Sequence, residues 1–149
     1  MVVFVGNWEG TRYTPYQDIA GVWTVCTGNI QDVVRDKQYT AKECGDLLAK
    51  DLEEHGRGVF ECIKIPLNAN EQVAVVSLTF NIGINAMCRS TLVRMLNNGN
   101  RSGAAGQFEK WAYADGHHSR GLANRRKAEK ALFLTPVTDV PRSYDGMAK

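Results

Sequence analysis

Two carboxylates near the beginning of the chain, Glu9 and Asp18, could together support acid–base chemistry. They lie nine residues apart in a short β-prone region. Two carboxyl groups in different environments can hold different protonation states at one pH, so one can donate a proton while the other stays ionised. Hydrolysis of a glycosidic bond usually needs such a pair across the scissile bond. Spacing alone leaves this open, because Glu9 could cap a helix and Asp18 could be a turn residue.

The residues around this pair form a more specific pattern. Glu9 is followed by Gly10, and Thr24 lies six residues after Asp18. This pattern resembles the active-site signature of the phage-type lysozymes, glycoside hydrolase family 24, whose Glu-Gly, Asp and Thr positions are all occupied here. The resemblance covers about residues 7–134. Its further matching segments are Tyr39 to Leu48, Phe80 to Gly83, Ser90 to Asn97, Trp111, and Gly121 to Leu134.

The resemblance implies an endolysin that hydrolyses β-1,4 bonds between N-acetylmuramic acid and N-acetylglucosamine in bacterial peptidoglycan, for host-cell lysis. Glu9 would be the general acid, and it must carry a proton at the working pH. Asp18 would be the ionised partner that positions water or stabilises the sugar cation, and Thr24 would hydrogen-bond that water. Members of the family mostly invert the anomeric centre, which requires room for water between the carboxyl groups. The resemblance implies no cofactor.

Further site residues follow from the same resemblance. Arg125 matches an arginine of the last long helix that pairs with the catalytic glutamate, so we expect it to support catalysis. Phe80, Asn81 and Gly83 match the stretch that lines the far wall of the cleft, and Asn81 could hydrogen-bond an N-acetyl or hydroxyl group of the sugar. We expect no metal site, although His117 and His118 are adjacent, because neighbouring histidines on a loop point apart.

Two positions depart from the family pattern. Asn29 follows Gly28 where many family members have a histidine. We expect this change to affect the stability of the β-lobe more than activity. Cys26 replaces a glycine found in cysteine-free members, two residues after Thr24.

The chain has four cysteines, and none of them forms the C-x-x-C spacing of a zinc knuckle or redox motif. Four cysteines allow three pairings, between which sequence cannot choose. In an oxidising space such as a periplasm we expect the pairs Cys26–Cys44 and Cys62–Cys88. The alternative is four buried free thiols.

The elements that must position these residues change character near residue 39. Before it, Pro15 interrupts any long helix, and Val22 to Cys26 is a β-prone run between glycines, which predicts a small β-hairpin lobe over about 10–39. After it, capping and periodicity signals predict helices over about 40–134. Helices are expected to begin at Thr40, Asn68, Ser90 or Thr91, and Ser102, to end near His55, Gly83, Gly99 and Gly116, and finally to span Leu122 to Leu134.

These elements predict an α+β fold that is mainly α. Together with the resemblance they predict one lysozyme-like domain over 1–149, with a small β-hairpin lobe packed against a larger helical lobe and the active-site cleft between them. The tail over 135–149 is expected to be loose.

The charge of the chain is unevenly placed. Residues 1–88 hold 7 Lys/Arg against 11 Asp/Glu, whereas residues 89–133 hold 9 against 3. The second region therefore carries a net charge of +6, which favours an anionic partner. Nucleic acid and the bacterial envelope are both candidates, and a solvated helix face is the alternative. The resemblance favours peptidoglycan as partner, an anionic envelope surface, no nucleic acid and a monomer.

No apolar run approaches the length of about 20 residues that a membrane span needs. The chain shows no export or anchor segment. We therefore expect a protein made in the host cytoplasm that reaches the cell wall in the periplasm after holin-mediated release.

Two other functions are considered. A lytic transglycosylase needs one carboxyl group and no activated water, so Asp18 and Thr24 argue against it. A cationic wall- or membrane-binding antibacterial protein would act without catalysis through residues 90–133.

Overall fold

The computed structural model describes residues 1–137 and is mainly helical, which confirms the expected fold class. Its helices are α1 (Val2–Gly6), α2 (Ala41–Phe60), α3 (Ala69–Ile82), α4 (Ile84–Cys88), α5 (Thr91–Asn97), α6 (Arg101–Gln107) and α7 (Arg120–Leu134), with a 3-10 turn at Phe108–Lys110. Its strands are β1 (Arg12–Gln17), β2 (Trp23–Cys26), β3 (Tyr113–Ala114) and β4 (His117–His118). Within residues 1–137 no helix is both long and apolar enough to span a membrane. Most of the tail expected to be loose lies outside the described residues.

Contacts divide the chain into two compact units, Met1–Leu52 and Glu53–Lys149. The boundary between these two units falls inside α2, and the predicted change of lobe near residue 39 stays a prediction. The first half of this helix belongs to the first unit, because Cys44 packs in one buried cluster with Val25 and Cys26. The prediction of one domain over 1–149 stays a prediction.

The first unit contains an antiparallel hairpin of β1 and β2. Tyr16 pairs with Thr24, whereas Arg12 pairs with Cys26, so the register shifts between these two pairs. Pro15 lies within the shift and is buried. A residue without an N–H is tolerated at such a bulge because the ladder hydrogen bond is already interrupted there.

Capping boxes begin two of the long helices as expected. At α2 the backbone N–H of Glu43 donates to Thr40 Oγ1, and the N–H of Thr40 donates to the Glu43 carboxylate. At α3 Asn68 and Glu71 exchange the same two bonds. Each motif satisfies two N–H groups that have no partner inside the helix.

Helix ends were predicted less well. The predicted end of α2 near His55 is wrong, because the helix continues to Phe60, where the buried side chains of Val59 and Phe60 outweigh the cost of the glycines before them. The predicted cap at Ser102 is also wrong. Asn100 caps α6, its Oδ1 accepting from the N–H of Gly103 at 2.9 Å.

The predicted continuation of this helix to Gly116 is wrong as well. After Gln107 the chain forms a 3-10 turn and then the small hairpin of β3 and β4. Asp115 and Gly116 at its tip both have positive φ, 51° and 78°, the conformation that a tight two-residue hairpin loop requires. His117 and His118 therefore lie on a strand and not on the predicted loop. Successive side chains on a strand point to opposite faces, so the two histidines still point apart.

Candidate active site

Glu9 lies in the connection between α1 and β1 and is half-buried. Its backbone N–H donates to the carbonyl of Val5 at 3.2 Å, and the N–H of Trp8 donates to the same carbonyl at 3.0 Å. Val5 is completely buried, so this carbonyl is anchored in the core of the first unit. The end of α1 thus fixes the backbone from which the Glu9 carboxyl extends.

Asp18 forms the turn between β1 and β2, and its side chain is exposed. Its Oδ1 accepts hydrogen bonds from the backbone N–H groups of Ala20 and Val22, both at 2.9 Å. Asp18 is therefore a turn residue, and the same two bonds hold its carboxylate in one orientation. Oδ2 accepts no hydrogen bond from residues 1–137, so one oxygen maintains the turn while the other stays available to water or sugar.

Thr24 lies on β2 and is buried, only 4% exposed. Its hydroxyl donates to the carbonyl of Val22 at 3.0 Å. A hydroxyl has one proton, so Thr24 Oγ1 can contact a water only by accepting a hydrogen bond from it. The strand register places Thr24 opposite Tyr16, two residues before Asp18. Asp18 and Thr24 therefore lie toward the same end of the hairpin.

The two departures from the family pattern both connect the hairpin region to α2. Asn29 Nδ2 donates to Asp51 Oδ2 at 2.7 Å, so the asparagine at this position forms a hydrogen bond to α2. Cys26 forms a disulfide with Cys44 on α2. The second disulfide joins Cys62 and Cys88 within the second unit, so the structure has the two pairs expected for an oxidising compartment.

In the second unit, Phe80 and Asn81 lie in the last turn of α3, and Gly83 connects α3 to α4. The Phe80 ring is 5.2 Å from the His55 ring, centroid to centroid. Gly83 ends α3 with φ 94° and ψ 154°, a positive φ outside the left-handed helical region. A Cβ at Gly83 would meet no atom within 4 Å, so glycine is required by the backbone conformation and not by crowding.

Arg125 and Arg126 are both buried on α7 and surround the fully buried carboxylate of Glu129. Arg126 Nε lies 2.7 Å from Glu129 Oε1, and Arg125 Nε lies 3.3 Å from Oε2. Ser77 on α3 donates to Oε2 at 2.5 Å and accepts from Arg125. Burial raises the pKa of Glu129 above its ordinary value, and the guanidinium of Arg126, the Ser77 hydroxyl and Arg125 limit the rise.

The predicted site residues divide between the two units. Glu9, Asp18 and Thr24 lie in the first unit, and the second contains Phe80, Asn81, Gly83 and Arg125. The pairing of Arg125 with Glu9 stays a prediction. Sequence reasoning missed the buried carboxylate of Glu129, although its spacing of three and four residues after the two arginines is that of helical ion pairs.

Comparison with known proteins gives consistent results. Residues 6–129 match the family model described as phage lysozyme. The SAR-endolysin of Enterobacteria phage P21 is 41% identical over 127 residues, covering 85% of this chain and 77% of that protein. The muramidase domain of SpmX from Asticaccaulis excentricus aligns with a TM-score of 0.83 and 32% identity, covering 91% of this chain and 95% of that domain. A mutant of P22 lysozyme aligns with the same TM-score and 33% identity, covering 90% and 94%.

Proposed function

Since this chain belongs to the phage lysozyme family, we propose that Glu9, Asp18 and Thr24 carry its catalytic reaction. The protein is a peptidoglycan-hydrolysing endolysin, a glycoside hydrolase of the muramidase type. Neither a transglycosylase nor a non-catalytic cationic protein is favoured by this membership. The observation that supports the residue assignment is the hairpin, whose turn and second strand hold Asp18 and Thr24 in defined hydrogen-bonded positions.

In the proposed reaction Glu9 gives its proton to the glycosidic oxygen as the bond from that oxygen to C1 of N-acetylmuramic acid breaks. A water attacks C1 from the opposite face and inverts its configuration. Asp18 takes one proton of this water through the oxygen that the turn does not use. Thr24 accepts a hydrogen bond from the other proton, so both water protons are held and a lone pair faces C1.

The first test compares clearing of purified peptidoglycan by the wild type and by Glu9→Gln. The variant should be about 10²–10⁴-fold slower, because it lacks the acid proton. Glu53→Gln is the matched control and should clear normally, since within residues 1–137 the Glu53 side chain forms only an exposed ion pair with Arg57. Equal clearing by Glu9→Gln and the wild type would remove Glu9 from its role.

Mass analysis of the released fragments tests the reaction type. Reducing N-acetylmuramic acid ends are expected. The two anomers have the same mass, so proton NMR of the first products gives the configuration, which should be α, as inversion requires. Anhydro-muramic ends would mean transglycosylase chemistry, and a β anomer would mean retention.

Thr24 is tested by a pair of substitutions of similar size. Thr24→Val removes the hydroxyl and should slow clearing by about 10-fold, the scale of one lost hydrogen bond. Thr24→Ser keeps the hydroxyl and should remain within a few-fold of the wild type by the same argument. The water-orienting role would be wrong if the two variants were equally slow.

Exposed cations of the second unit support a proposed attraction to the anionic envelope. Arg125 and Arg126 are buried, so the surface is less basic than the sequence count suggests. The exposed cations of residues 89–133 are Arg89, Arg94, Lys110, Arg120 and Lys127. Binding to isolated cell walls should weaken as salt rises from about 0.05 to about 0.5 M, because salt screens surface charges. Salt-independent binding would contradict this proposal.

We further propose a monomer that does not bind nucleic acid, testable by light scattering with and without duplex DNA.

The protein acts on the cell wall, and we propose that it reaches the wall after holin-mediated release. Its two disulfides suit an oxidising space beyond the inner membrane. Expression in a Gram-negative host with and without a holin tests the route. Lysis that depends on the holin is expected, whereas equal lysis without it would show another way across the membrane.

A further inference from the structure

The buried guanidinium of Arg126 makes a contact that the proposed reaction does not use. Its Nη1 donates to Oδ1 of Asn81 at 2.8 Å. The same guanidinium is held by the Glu129 carboxylate, through Nη2 to Oε2 at 3.0 Å, and Nη1 lies 3.5 Å from the carbonyl of Trp111. Arg126 is completely buried, whereas Asn81 is exposed. A rigid buried cation therefore holds one end of a surface amide.

This contact determines which way the amide points. An arginine can only donate, so the atom of Asn81 that faces Arg126 must be its carbonyl oxygen. The amide nitrogen, with two N–H donors, is then on the other side. Among residues 1–137 these donors have no hydrogen-bond acceptor. An exposed asparagine would otherwise be free to rotate and present either its donor or its acceptor end.

We propose that Arg126 is a positioning residue that makes Asn81 a dedicated hydrogen-bond donor, which recognises the carbonyl oxygen of an N-acetyl group on the glycan strand. A sugar hydroxyl can donate or accept, so it would bind either end of an amide equally well. A carbonyl oxygen can only accept, so it depends on the donor end of the amide and gains most from an amide whose donor end is fixed. The inference rests on the proposed function for its substrate.

The charge balance of the cluster allows a sharp test at Asn81. Asn81→Asp keeps an acceptor for Arg126 and adds a negative charge beside two arginines and one glutamate, so the variant should fold. Its second oxygen, however, replaces the N–H donors with an acceptor. Asn81→Ala removes both functions without placing an acceptor against the sugar.

Affinity is measured in the Glu9→Gln background, with soluble peptidoglycan glycan strands as ligand, by calorimetry. Each lost hydrogen bond should weaken binding about 3- to 10-fold. We expect the protein with Asn81 to bind the strands most tightly, Asn81→Ala to bind them less tightly and Asn81→Asp to bind them least tightly. The inference is overturned if Asn81→Asp binds as well as Asn81, because the amide would then present its oxygen to the sugar.

The same strands after chemical N-deacetylation identify the recognised group. The ammonium groups of the deacetylated strands donate hydrogen bonds and do not accept them. Deacetylation should therefore weaken binding to the protein with Asn81 about 3- to 10-fold more than it weakens binding to Asn81→Ala. For Asn81→Asp the preference should move toward the deacetylated strands. An equal effect of deacetylation on all three proteins would rule out the N-acetyl group as the ligand of Asn81.

Two measurements test the role of Arg126 itself. The double variant Arg126→Met/Asn81→Ala should bind the strands no more weakly than Arg126→Met alone, because Arg126 acts through Asn81. If Arg126→Met does not fold, NMR order parameters of side-chain amides in the parent protein decide. The Asn81 amide should be as rigid as the backbone, whereas the amide of exposed Asn124 on α7 should be mobile. A mobile Asn81 amide would contradict the positioning role.

The inference and the proposed function fail in different ways. If Glu9→Gln still cuts the strands at the wild-type rate, new reducing ends appear and the catalytic assignment fails. The order of affinities among the Asn81 variants is read from binding and does not depend on that result.

Discussion

At the scale of single residues, Cys26 combines a strained backbone with a covalent bond. Its φ of 61° lies in the left-handed region, which costs an L-residue about 1–2 kcal/mol. Its disulfide to Cys44 holds the chain in this conformation from α2. The end of β2 away from the turn therefore depends on a cross-link to keep a conformation that glycine would adopt without strain.

The strain at Cys26 predicts an unusual order of substitutions. In a Cys44→Ser background, Cys26→Gly should have a free energy of unfolding about 1 kcal/mol higher than Cys26→Ala. Denaturant titration followed by circular dichroism measures this difference. The matched pair at Cys88 in a Cys62→Ser background should show the reverse order, because Cys88 ends a helix, where alanine is favoured. An advantage for alanine at Cys26 would mean that the conformation relaxes once the disulfide is absent.

At the scale of elements, the α3–α4 connection depends on one backbone conformation. Gly83 accommodates it with φ 94° and ψ 154°, a region that essentially only glycine occupies. Gly83→Ala should therefore lower the free energy of unfolding by about 1–3 kcal/mol, although the added methyl meets no atom. Gly45→Ala is the control, since Gly45 lies inside α2 with open space around it and should be stabilised by about 0.5–1 kcal/mol. Thermal melting of both variants checks this, and a loss of stability at both positions would point to crowding instead.

The packing of α3 on α7 should show a pH dependence that originates at Glu129. Burial raises the pKa of this carboxyl above its ordinary value of 4.5, so the folded protein holds the proton more tightly than the unfolded chain. The stabilisation from this proton is complete below pH 4.5 and is lost as the pH rises through the folded-state pKa.

Glu129→Gln removes this titration while keeping a similar shape. The free energy of unfolding of the wild type should fall relative to that of Glu129→Gln as the pH rises from 4.5 through the raised folded-state pKa. Denaturation at several pH values gives the difference. A relative gain by the wild type over this range would mean that the two arginines stabilise the ionised carboxylate more than burial penalises it.

At the scale of the whole molecule, each compact unit contains one disulfide. Cys26–Cys44 spans 18 residues in the first unit and Cys62–Cys88 spans 26 in the second. Closing loops of these lengths in the unfolded chain should contribute about 3 kcal/mol each. Replacing either pair by serine should lower the free energy of unfolding by that amount in denaturant titrations. A reductant should destabilise the wild type but not the variant that lacks both pairs, and equal stability with and without reductant would contradict a role for the disulfides.

The sequence by itself showed the match to the family's site pattern and predicted where two of the long helices begin. Glu9, Asp18 and Thr24 occupy the Glu-Gly, Asp and Thr positions of that pattern, and local residue types predict the capping boxes at Thr40 and Asn68. These features are local, because a capping side chain bonds a backbone group three residues away. Local chemistry of this kind can be read from a short stretch of chain.

Only the tertiary structure decided what surrounds these elements. The end of α2, the small hairpin after α6 and the burial of Arg125 and Arg126 depend on which side chains pack against them. The contact of Arg126 with Asn81 joins residues 45 positions apart in the chain. Sequence patterns do not reveal such contacts, because burial and charge pairing between distant segments arise only when the segments pack.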